Sequence, residues 1–206
     1  MNAEPTVQIV DDDPAFRESL AVLMLSMGLR SKTFASGDEL LQQFDENLPG
    51  CLIIDVRMPH LSGLALQERL AEFPLCPPVI ILTGHAEVPT ALRALKQGAL
   101  EFLQKTFSEG ELREAVQRAV ALDAERRALH RARSARRRRL ALLSNAERQV
   151  LELVLAGYPN KRIASNLGVS QRAVEDRRAR IMQKLEVDTL PDLVRFAIEA
   201  GLGADG

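Results

Sequence analysis

The stretch Cys51-Leu52-Ile53-Ile54-Asp55 decides the fold, because a short apolar run that ends in a carboxylate is typical of a buried parallel strand whose last side chain leaves the sheet edge. A second run, Val7-Gln8-Ile9-Val10, is followed directly by Asp11-Asp12-Asp13. Carboxyl ends of parallel strands share one edge, so we expect these acids to lie together. A divalent metal relieves the repulsion between clustered carboxylates, and Mg²⁺ prefers one or two carboxylates together with waters and phosphate oxygens. The two runs therefore predict a site that handles a phosphoryl group.

Outward from this stretch, short apolar runs alternate with helical patterns. The predicted strands are 6–10, 30–34, 51–54, 78–82 and 99–103. Helical spacing follows the first of them at Phe16, Leu20, Leu23 and Met27. This alternation predicts an α/β fold with a flavodoxin-like, doubly wound, five-stranded parallel sheet covered by helices on both faces. In that architecture one crevice at the carboxyl ends of the strands collects Asp11, Asp12, Asp55, Thr83 and Lys105.

Charge divides the 206-residue chain into two parts. Residues 1–122 carry a net charge of −7 and residues 123–206 a net charge of +6. The basic part has the electrostatic footprint of a module that binds a polyanion. No apolar stretch is long enough to span a membrane and the N-terminus lacks a signal segment, so we expect a cytoplasmic protein with no membrane partner.

The basic part predicts four short helices, from their capping residues. Ser144 with Glu147 forms a capping-box pattern, Asn160 can cap a second helix, Ser170 a third and Thr189 a fourth. A helix, a glycine-containing turn and an arginine-rich helix form a helix-turn-helix, which binds DNA. Before these helices, 108–139 favours a helix that continues into a linker, where Arg136-Arg137-Arg138-Arg139 is either a solvated helix face or hinge, or a DNA-backbone contact.

Residues 1–122 resemble the receiver domain of two-component response regulators. The motifs that carry the resemblance are Val10-Asp11-Asp12-Asp13, Asp55-Val56-Arg57-Met58-Pro59 with Gly63, Ile81-Leu82-Thr83-Gly84-His85, and Gly98-Ala99 through Glu101-Phe102-Leu103-Gln104-Lys105. The resemblance implies Asp55 as the phosphoacceptor. It implies a Mg²⁺ (or Mn²⁺) ion held by Asp11, Asp12, Asp55 and the backbone carbonyl of Arg57. Thr83 would hydrogen-bond the phosphoryl oxygens, Lys105 would pair with them, and Phe102 would be the aromatic residue that turns inward when the site is occupied.

One position departs from the receiver pattern. The family usually places proline after this lysine, with a cis peptide, whereas Thr106 follows Lys105 here. A cis bond before a residue other than proline costs about 3 kcal/mol. We therefore expect a trans peptide at this point, with Lys105 aimed differently from the family pattern.

Residues 143–201 resemble the four-helix DNA-binding module of LuxR/FixJ-type regulators. The motifs are Leu143-Ser144, Glu147, Val150-Leu151, Gly157, Asn160 through Ala164, Leu167 through Ser170, Val174-Glu175 and Ile181 through Leu185, whereas Ala173, Asp176 and Arg177 depart from the pattern. Val174, Ile181 and Leu185 form one stripe of the third helix, so the opposite face is predicted to enter the major groove. The predicted DNA-binding residues are Lys161, Arg162, Arg172, Glu175, Asp176, Arg177, Arg178, Ala179, Arg180, Gln183 and Lys184.

The resemblance covers nearly the whole chain and implies a receiver domain (1–122), a helical linker (123–142) and a helix-turn-helix domain (143–206). It predicts a response regulator, not an enzyme, in which a histidine kinase phosphorylates Asp55 and the resulting homodimer binds double-stranded DNA to control transcription. Two other functions stay open at this point. One is a phosphorylation-independent DNA-binding regulator with a degenerate receiver, for which Thr106 is the hint; the other is a metal-dependent phosphohydrolase that uses Asp55 as a covalent nucleophile.

Overall fold

The computed structural model describes residues 4–84 and 88–202; His85, quoted above, lies outside them. The chain divides into two compact units, Met1–Arg127 and Ala128–Gly206. This division falls inside the segment 123–142 that was predicted to be a linker. The first unit is called the receiver unit below, and the second the C-terminal unit.

A five-stranded parallel sheet forms the centre of the receiver unit, with the strand order β2-β1-β3-β4-β5. The strands are β1 (Thr6–Val10), β2 (Arg30–Phe34), β3 (Gly50–Asp55), β4 (Val79–Thr83) and β5 (Glu101–Gln104). This order confirms the flavodoxin-like fold. The predicted strand bounds are correct for β1 and β2 and differ by one or two residues elsewhere.

Helices cover both faces of the sheet. They are α1 (Pro14–Ser26), α2 (Gly37–Gln43), α3 (Gly63–Leu70), α4 (Val88–Lys96) and the long α5 (Glu109–Ala141). Alternate residues of β3 face opposite sides, as the two-residue period of a strand requires. Leu52 and Ile54 pack in one apolar core, and Cys51 and Ile53 pack in the other. A strand buried on both faces is the reason for the continuous apolar run before Asp55.

The start of the predicted linker is buried in the receiver unit. Asp123 and Arg127 are 3% and 7% exposed, and Arg127 Nε lies 2.7 Å from Asp123 Oδ2. The same carboxylate oxygen accepts a hydrogen bond from the Gly50 amide at 2.8 Å. The Arg127 guanidinium donates to three backbone carbonyls, those of Glu46, Leu48 and Leu75. α5 is therefore fixed to two loops of the receiver unit as far as Arg127.

Four helices follow α5 in the C-terminal unit: α6 (Asn145–Leu155), α7 (Asn160–Leu167), α8 (Gln171–Leu185) and α9 (Leu190–Glu199). The predicted caps Ser144, Ser170 and Thr189 are confirmed, since each hydroxyl accepts from a backbone amide in the first turn. The prediction that Asn160 caps α7 is wrong, because Pro159 holds the cap position and no side-chain cap forms. In place of capping, Asn160 Oδ1 accepts a hydrogen bond from Arg178.

Among the helices of 4–84 and 88–202, none combines the length and the apolar character that a membrane span requires.

Candidate functional site

Three of the predicted site residues meet at the carboxyl edge of the receiver sheet. Asp55 ends β3, Asp11 follows β1 and Lys105 follows β5. Lys105 Nζ lies 2.7 Å from Asp11 Oδ2 and 2.8 Å from Asp55 Oδ1. Both carboxylate side chains are almost fully buried, at 2% and 4% exposed, whereas Lys105 is 24% exposed. One ammonium group therefore bridges two buried carboxylates that reach it from different strands.

Backbone contacts orient these side chains. Asp55 Oδ2 accepts a hydrogen bond from the Arg57 amide at 2.7 Å, and Asp11 Oδ1 accepts one from the Asp13 amide at 3.0 Å. The Lys105 amide donates to the Thr83 carbonyl at 2.7 Å, which places the residue after β5 beside the end of β4. In each carboxylate one oxygen is held by the backbone and the other faces Lys105, so the bridge has a defined geometry.

Gly63, the first residue of α3, lets that helix approach the end of β3 closely. A Cβ atom at this position would lie 2.0 Å from the Asp55 carbonyl oxygen, a distance that no side chain tolerates. The Gly63 amide donates to the Val56 carbonyl at 3.0 Å and closes the loop between β3 and α3. Glycine is thus needed for α3 to begin this close to Asp55.

Burial and charge act in opposite directions on the two ends of the bridge. Burial raises the pKa of Asp55, and the Lys105 ammonium and the Arg57 amide lower it in part, while the Asp11 charge adds to the increase. Burial lowers the pKa of Lys105, but its hydrogen bonds to Asp11 and Asp55 outweigh that effect and leave the pKa raised. Lys105 therefore stays cationic at neutral pH.

The remaining predicted receiver residues are placed as follows. Thr83 is buried at the end of β4, Asp12 and the Arg57 side chain are exposed, and Phe102 on β5 is half-buried against one apolar core. Residues 4–84 and 88–202 contain no cis peptide bond, in agreement with the trans linkage expected before Thr106. The trans linkage leaves Lys105 within reach of both carboxylates, so Thr106 does not turn this side chain away from the crevice.

The donor set fits a hard divalent cation, although the described residues contain no ready-made cluster of three acidic, histidine or cysteine side chains. Asp11 Oδ2 and Asp55 Oδ1 both contact one nitrogen atom, so a single small cation can also reach both oxygens. Mg²⁺ is commonly held by one or two carboxylates with its other ligands supplied by water and phosphate. A site with two converging carboxylates meets that requirement without a larger cluster.

Sequence reasoning missed two residues at this site. The Phe16 ring centroid lies 4.4 Å from Lys105 Nζ, so the ammonium group makes a cation–π contact in addition to its contacts with the two carboxylates. Arg17 donates a hydrogen bond to the Asp11 carbonyl at 2.5 Å. Phe16 had been assigned to the apolar face of α1 by its spacing, and no signal in the sequence distinguishes a core position from one beside the site.

The second candidate site is the helix-turn-helix formed by α7, the turn at Gly168 and α8. Gly168 ends α7 with a positive φ of 64°, which is the left-handed conformation that glycine adopts at least cost. Val174, Ile181 and Leu185 of α8 are buried, as their spacing predicted. The exposed predicted residues of α8 are Arg172, Glu175, Asp176, Ala179, Arg180 and Gln183.

Several predicted phosphate contacts have partners within the unit. Lys184 Nζ lies 2.7 Å from Glu147 Oε2 and donates to the Leu142 carbonyl, and Arg180 Nε lies 3.5 Å from Glu147 Oε1. Arg178 binds Asn160 Oδ1 at 2.7 Å. The structure thus places Lys184 in the support of α8 against α6, while Lys161, Arg162 and Arg172 stay exposed and Arg177 is half-buried.

Glu147 carries this support and was recognised in the sequence only as half of a capping box. It is 4% exposed, and its carboxylate also accepts from the Ser144 amide at 2.8 Å. The hydrogen bonds from Lys184 and then from the Ser144 amide lower the pKa of Glu147 to about 2. Tyr158 was also missed; its ring lies 4.4 Å from the Arg162 guanidinium, which it orients beside the first turn of α7.

The family model for the response regulator receiver domain matches residues 7–117, and the model for bacterial regulatory proteins of the luxR family matches residues 141–197. The chain therefore belongs to the response regulators that join a receiver domain to a LuxR-type DNA-binding domain. Such proteins control transcription as parts of two-component systems. A receiver domain implies a histidine kinase as partner and generally binds Mg²⁺, and a luxR-type domain implies binding to DNA.

Within that family, the relatives found are of the FixJ type. The chain is 43% identical to the transcriptional regulatory protein FixJ of Azorhizobium caulinodans, over 95% of this chain and 93% of the relative. It is 42% identical to the C4-dicarboxylate transport transcriptional regulatory protein DctR of Rhodobacter capsulatus, over 93% and 98%.

Solved structures agree with this assignment. The response regulator StyR has a TM-score of 0.88 at 38% identity, over 96% of this chain and 100% of that chain. Full-length FixJ from B. japonicum has a TM-score of 0.56 at 35% identity, over 97% and 98%.

Proposed function

We propose that Asp55 accepts a phosphoryl group from a histidine kinase and that this modification controls DNA binding by the C-terminal unit. The observation that carries the proposal is the bridge from Lys105 to Asp11 and Asp55, at 2.7 and 2.8 Å. It gathers a nucleophile, a second carboxylate and a cation at the sheet edge where such folds bind ligands. Membership of the response regulator family also supports Asp55 as the phosphoacceptor.

In the proposed step, a carboxylate oxygen of Asp55 forms a bond to phosphorus while the bond from phosphorus to the kinase histidine nitrogen breaks. The product is an acyl phosphate, a labile covalent mark suited to a switch. Lys105 compensates the negative charge on the phosphoryl oxygens, and the Thr83 hydroxyl donates a hydrogen bond to one of them. The chain accepts the group and does not turn over a separate substrate, so we propose that it is not an enzyme.

The proposed metal ligands are Asp11, Asp12, Asp55 and the backbone carbonyl of Arg57. A bound Mg²⁺ or Mn²⁺ ion supplies positive charge for the phosphoryl oxygens during transfer. The two carboxylate oxygens that converge on Lys105 support this assignment, and the exposed Asp12 would be the third side-chain ligand.

Phosphorylation must favour one state of the receiver to act as a signal. We propose that Thr83 and Phe102 rearrange, that two chains form a homodimer, and that two C-terminal units then bind paired DNA half-sites. Coupling of this kind is typically about 1–3 kcal/mol, a change in affinity of roughly 5- to 150-fold. A DNA-binding regulator works where bacterial DNA lies, which supports the proposed cytoplasmic location.

The test compares the wild-type chain with Asp55→Asn in the presence of magnesium and a small phosphodonor. We expect the wild type to dimerise in analytical ultracentrifugation and to bind a pool of random-sequence duplexes more tightly, and we expect Asp55→Asn to do neither. Asp38→Asn, an exposed acid in the first turn of α2, is the matched control and should behave as wild type.

If dimerisation and DNA affinity of Asp55→Asn rise as in the wild type, phosphorylation of Asp55 is not the switch. If wild-type DNA binding is tight and indifferent to the phosphodonor, the chain acts as a phosphorylation-independent regulator.

A further inference from the structure

The arginine-rich end of α5 is a surface that the proposed phosphoacceptor and the helix-turn-helix do not use. Residues 128–143 contain six arginines and no acidic residue. All of them lie in the C-terminal unit, which begins at Ala128. Such a run is common on solvated helices, so its partners decide what it does.

The structure divides the run Arg136-Arg137-Arg138-Arg139 into two pairs. Arg136 lies 2.5 Å from Glu199 of α9, and Arg139 lies 2.5 Å from Glu186 at the end of α8. Arg139 also donates to the Leu185 carbonyl at 3.4 Å. These two arginines, three positions apart, hold the end of α5 against the rest of the C-terminal unit.

The other two arginines point away from that contact. An α-helix turns by about 100° per residue, so Arg137 and Arg138 lie on the half of the helix opposite to Arg136 and Arg139. Both are exposed, and within the described part of the C-terminal unit neither forms an ion pair or a hydrogen bond. Arg133, also exposed, precedes Arg137 by one helical turn and lies on the same side. The guanidinium groups of Arg137 and Arg138 are therefore accessible to a binding partner.

We propose that Arg137 and Arg138 contact the phosphate backbone of double-stranded DNA, as a contact separate from the helix-turn-helix. The inference rests on the proposed function, because DNA is the polyanion that the same unit binds. Clustered cations on one helix repel each other unless anions neutralise them, and no acidic residue of 128–143 does so. Guanidinium groups bind phosphate through paired hydrogen bonds, and such contacts strengthen binding to DNA without depending on the base sequence.

The test measures how DNA affinity depends on salt, with the full-length chain. The probe is a fluorescein-labelled duplex of mixed sequence, of about 40 base pairs, followed by fluorescence anisotropy between about 50 and 200 mM salt. The variant is Arg137→Gln/Arg138→Gln, which keeps good helix formers at both positions. The matched control is Arg148→Gln/Arg195→Gln, which removes the same charge from two exposed arginines whose guanidinium groups already contact Leu143 and Asp192.

The slope of log K against log salt is negative, and each lost phosphate contact reduces its magnitude by about 0.9, so we expect the magnitude to be about 1.8 smaller in the Arg137/Arg138 variant. Over that fourfold range of salt, wild-type affinity should then fall roughly twelve-fold more than the affinity of the variant. The control should keep the wild-type slope, and all three proteins should show the same helical content by circular dichroism.

An unchanged slope in the variant overturns this inference and leaves the proposed function standing. An equal loss of slope in the control also overturns it, since the effect would then reflect net charge. If the wild type does not bind the duplex at all, with or without the phosphodonor, both the inference and the DNA-binding part of the proposed function are wrong.

Discussion

Truncating Arg127 should destabilise the receiver unit strongly, although this residue lies 23 positions after the end of the last strand, at Gln104, and was assigned to a linker by its sequence. In Arg127→Ala the guanidinium that contacts Asp123 at 2.7 Å and three carbonyls at 2.8, 2.9 and 3.1 Å is removed. Asp123 is 3% exposed, and among the described residues it would keep the Gly50 amide as its one remaining hydrogen-bond donor. Removing one partner of a buried ion pair typically costs about 3–5 kcal/mol, because the remaining charge stays buried without compensation.

The neighbouring residue supplies the control. Arg126 is exposed, so Arg126→Ala should change stability by less than about 0.5 kcal/mol. The two units can unfold separately, which prevents a single unfolding transition from being assigned to either of them. Hydrogen exchange followed by mass spectrometry resolves the amides of β1 and β3 from those of α6 to α9, and it reports the opening free energy of each unit.

We expect the free energy of opening of the receiver unit to fall by roughly 3–5 kcal/mol in Arg127→Ala and to stay unchanged in the C-terminal unit. If Arg127→Ala and Arg126→Ala have the same small effect, the buried network does not fix α5 to the receiver unit. A second variant, Asp123→Ala/Arg127→Ala, should cost less than the two single losses together, since both side chains belong to one network.

Three further substitutions test other parts of the structure. Glu147→Gln should destabilise the C-terminal unit by roughly 1–2 kcal/mol after allowance for solvent screening. Because the pKa of Glu147 in the folded protein, about 2, lies below the ordinary value, this loss of stability is full above about pH 4.5 and shrinks as the pH falls towards 2. Equal destabilisation at pH 7 and pH 2.5 in urea titrations would contradict this pH dependence. Gly63→Ala should lower the stability of the receiver unit by about 1–3 kcal/mol or more and reduce phosphoryl uptake. The control is Gly110→Ala, whose added Cβ would lie 3.8 Å from Ser108 Oγ and should leave the melting temperature unchanged or raise it. Similar melting temperatures for the two variants would refute the close approach of Gly63 to Asp55. His60 has a φ of 65°, so His60→Gly should raise stability by about 0.5–1 kcal/mol, and a lower melting temperature would contradict the assigned strain.

The sheet and the phosphoacceptor edge could be predicted because they depend on local patterns. A strand buried on both faces requires a continuous apolar run, and an acid at its end is visible in the sequence, as at Asp55. Cap positions were predictable where a hydroxyl was present at the start of a helix, as at Ser144 and Ser170. The pattern failed at Asn160, because its side chain hydrogen-bonds Arg178, 18 positions away, and Pro159 takes the cap position.

The parts that could not be predicted depend on contacts between distant segments. Asp123 and Arg127 are four positions apart, the spacing of an ordinary pair on a solvated helix, and it is the loops containing Glu46 and Leu75 that bury the pair. Phe16 has the spacing of a core residue and lies beside Lys105. From these contacts we propose that the receiver domain extends to Arg127, five residues beyond the bound that the charge distribution suggested.

An intact-mass measurement tests whether Asp55 is a phosphoacceptor. Wild type and Asp55→Asn are incubated with magnesium and a small phosphodonor, and the intact mass of each protein is measured by mass spectrometry at neutral pH. We expect the wild type to gain one phosphoryl group and Asp55→Asn to gain none. A gain of equal size in both proteins, or no gain in a folded wild type that also fails to accept phosphate from its histidine kinase, would contradict it.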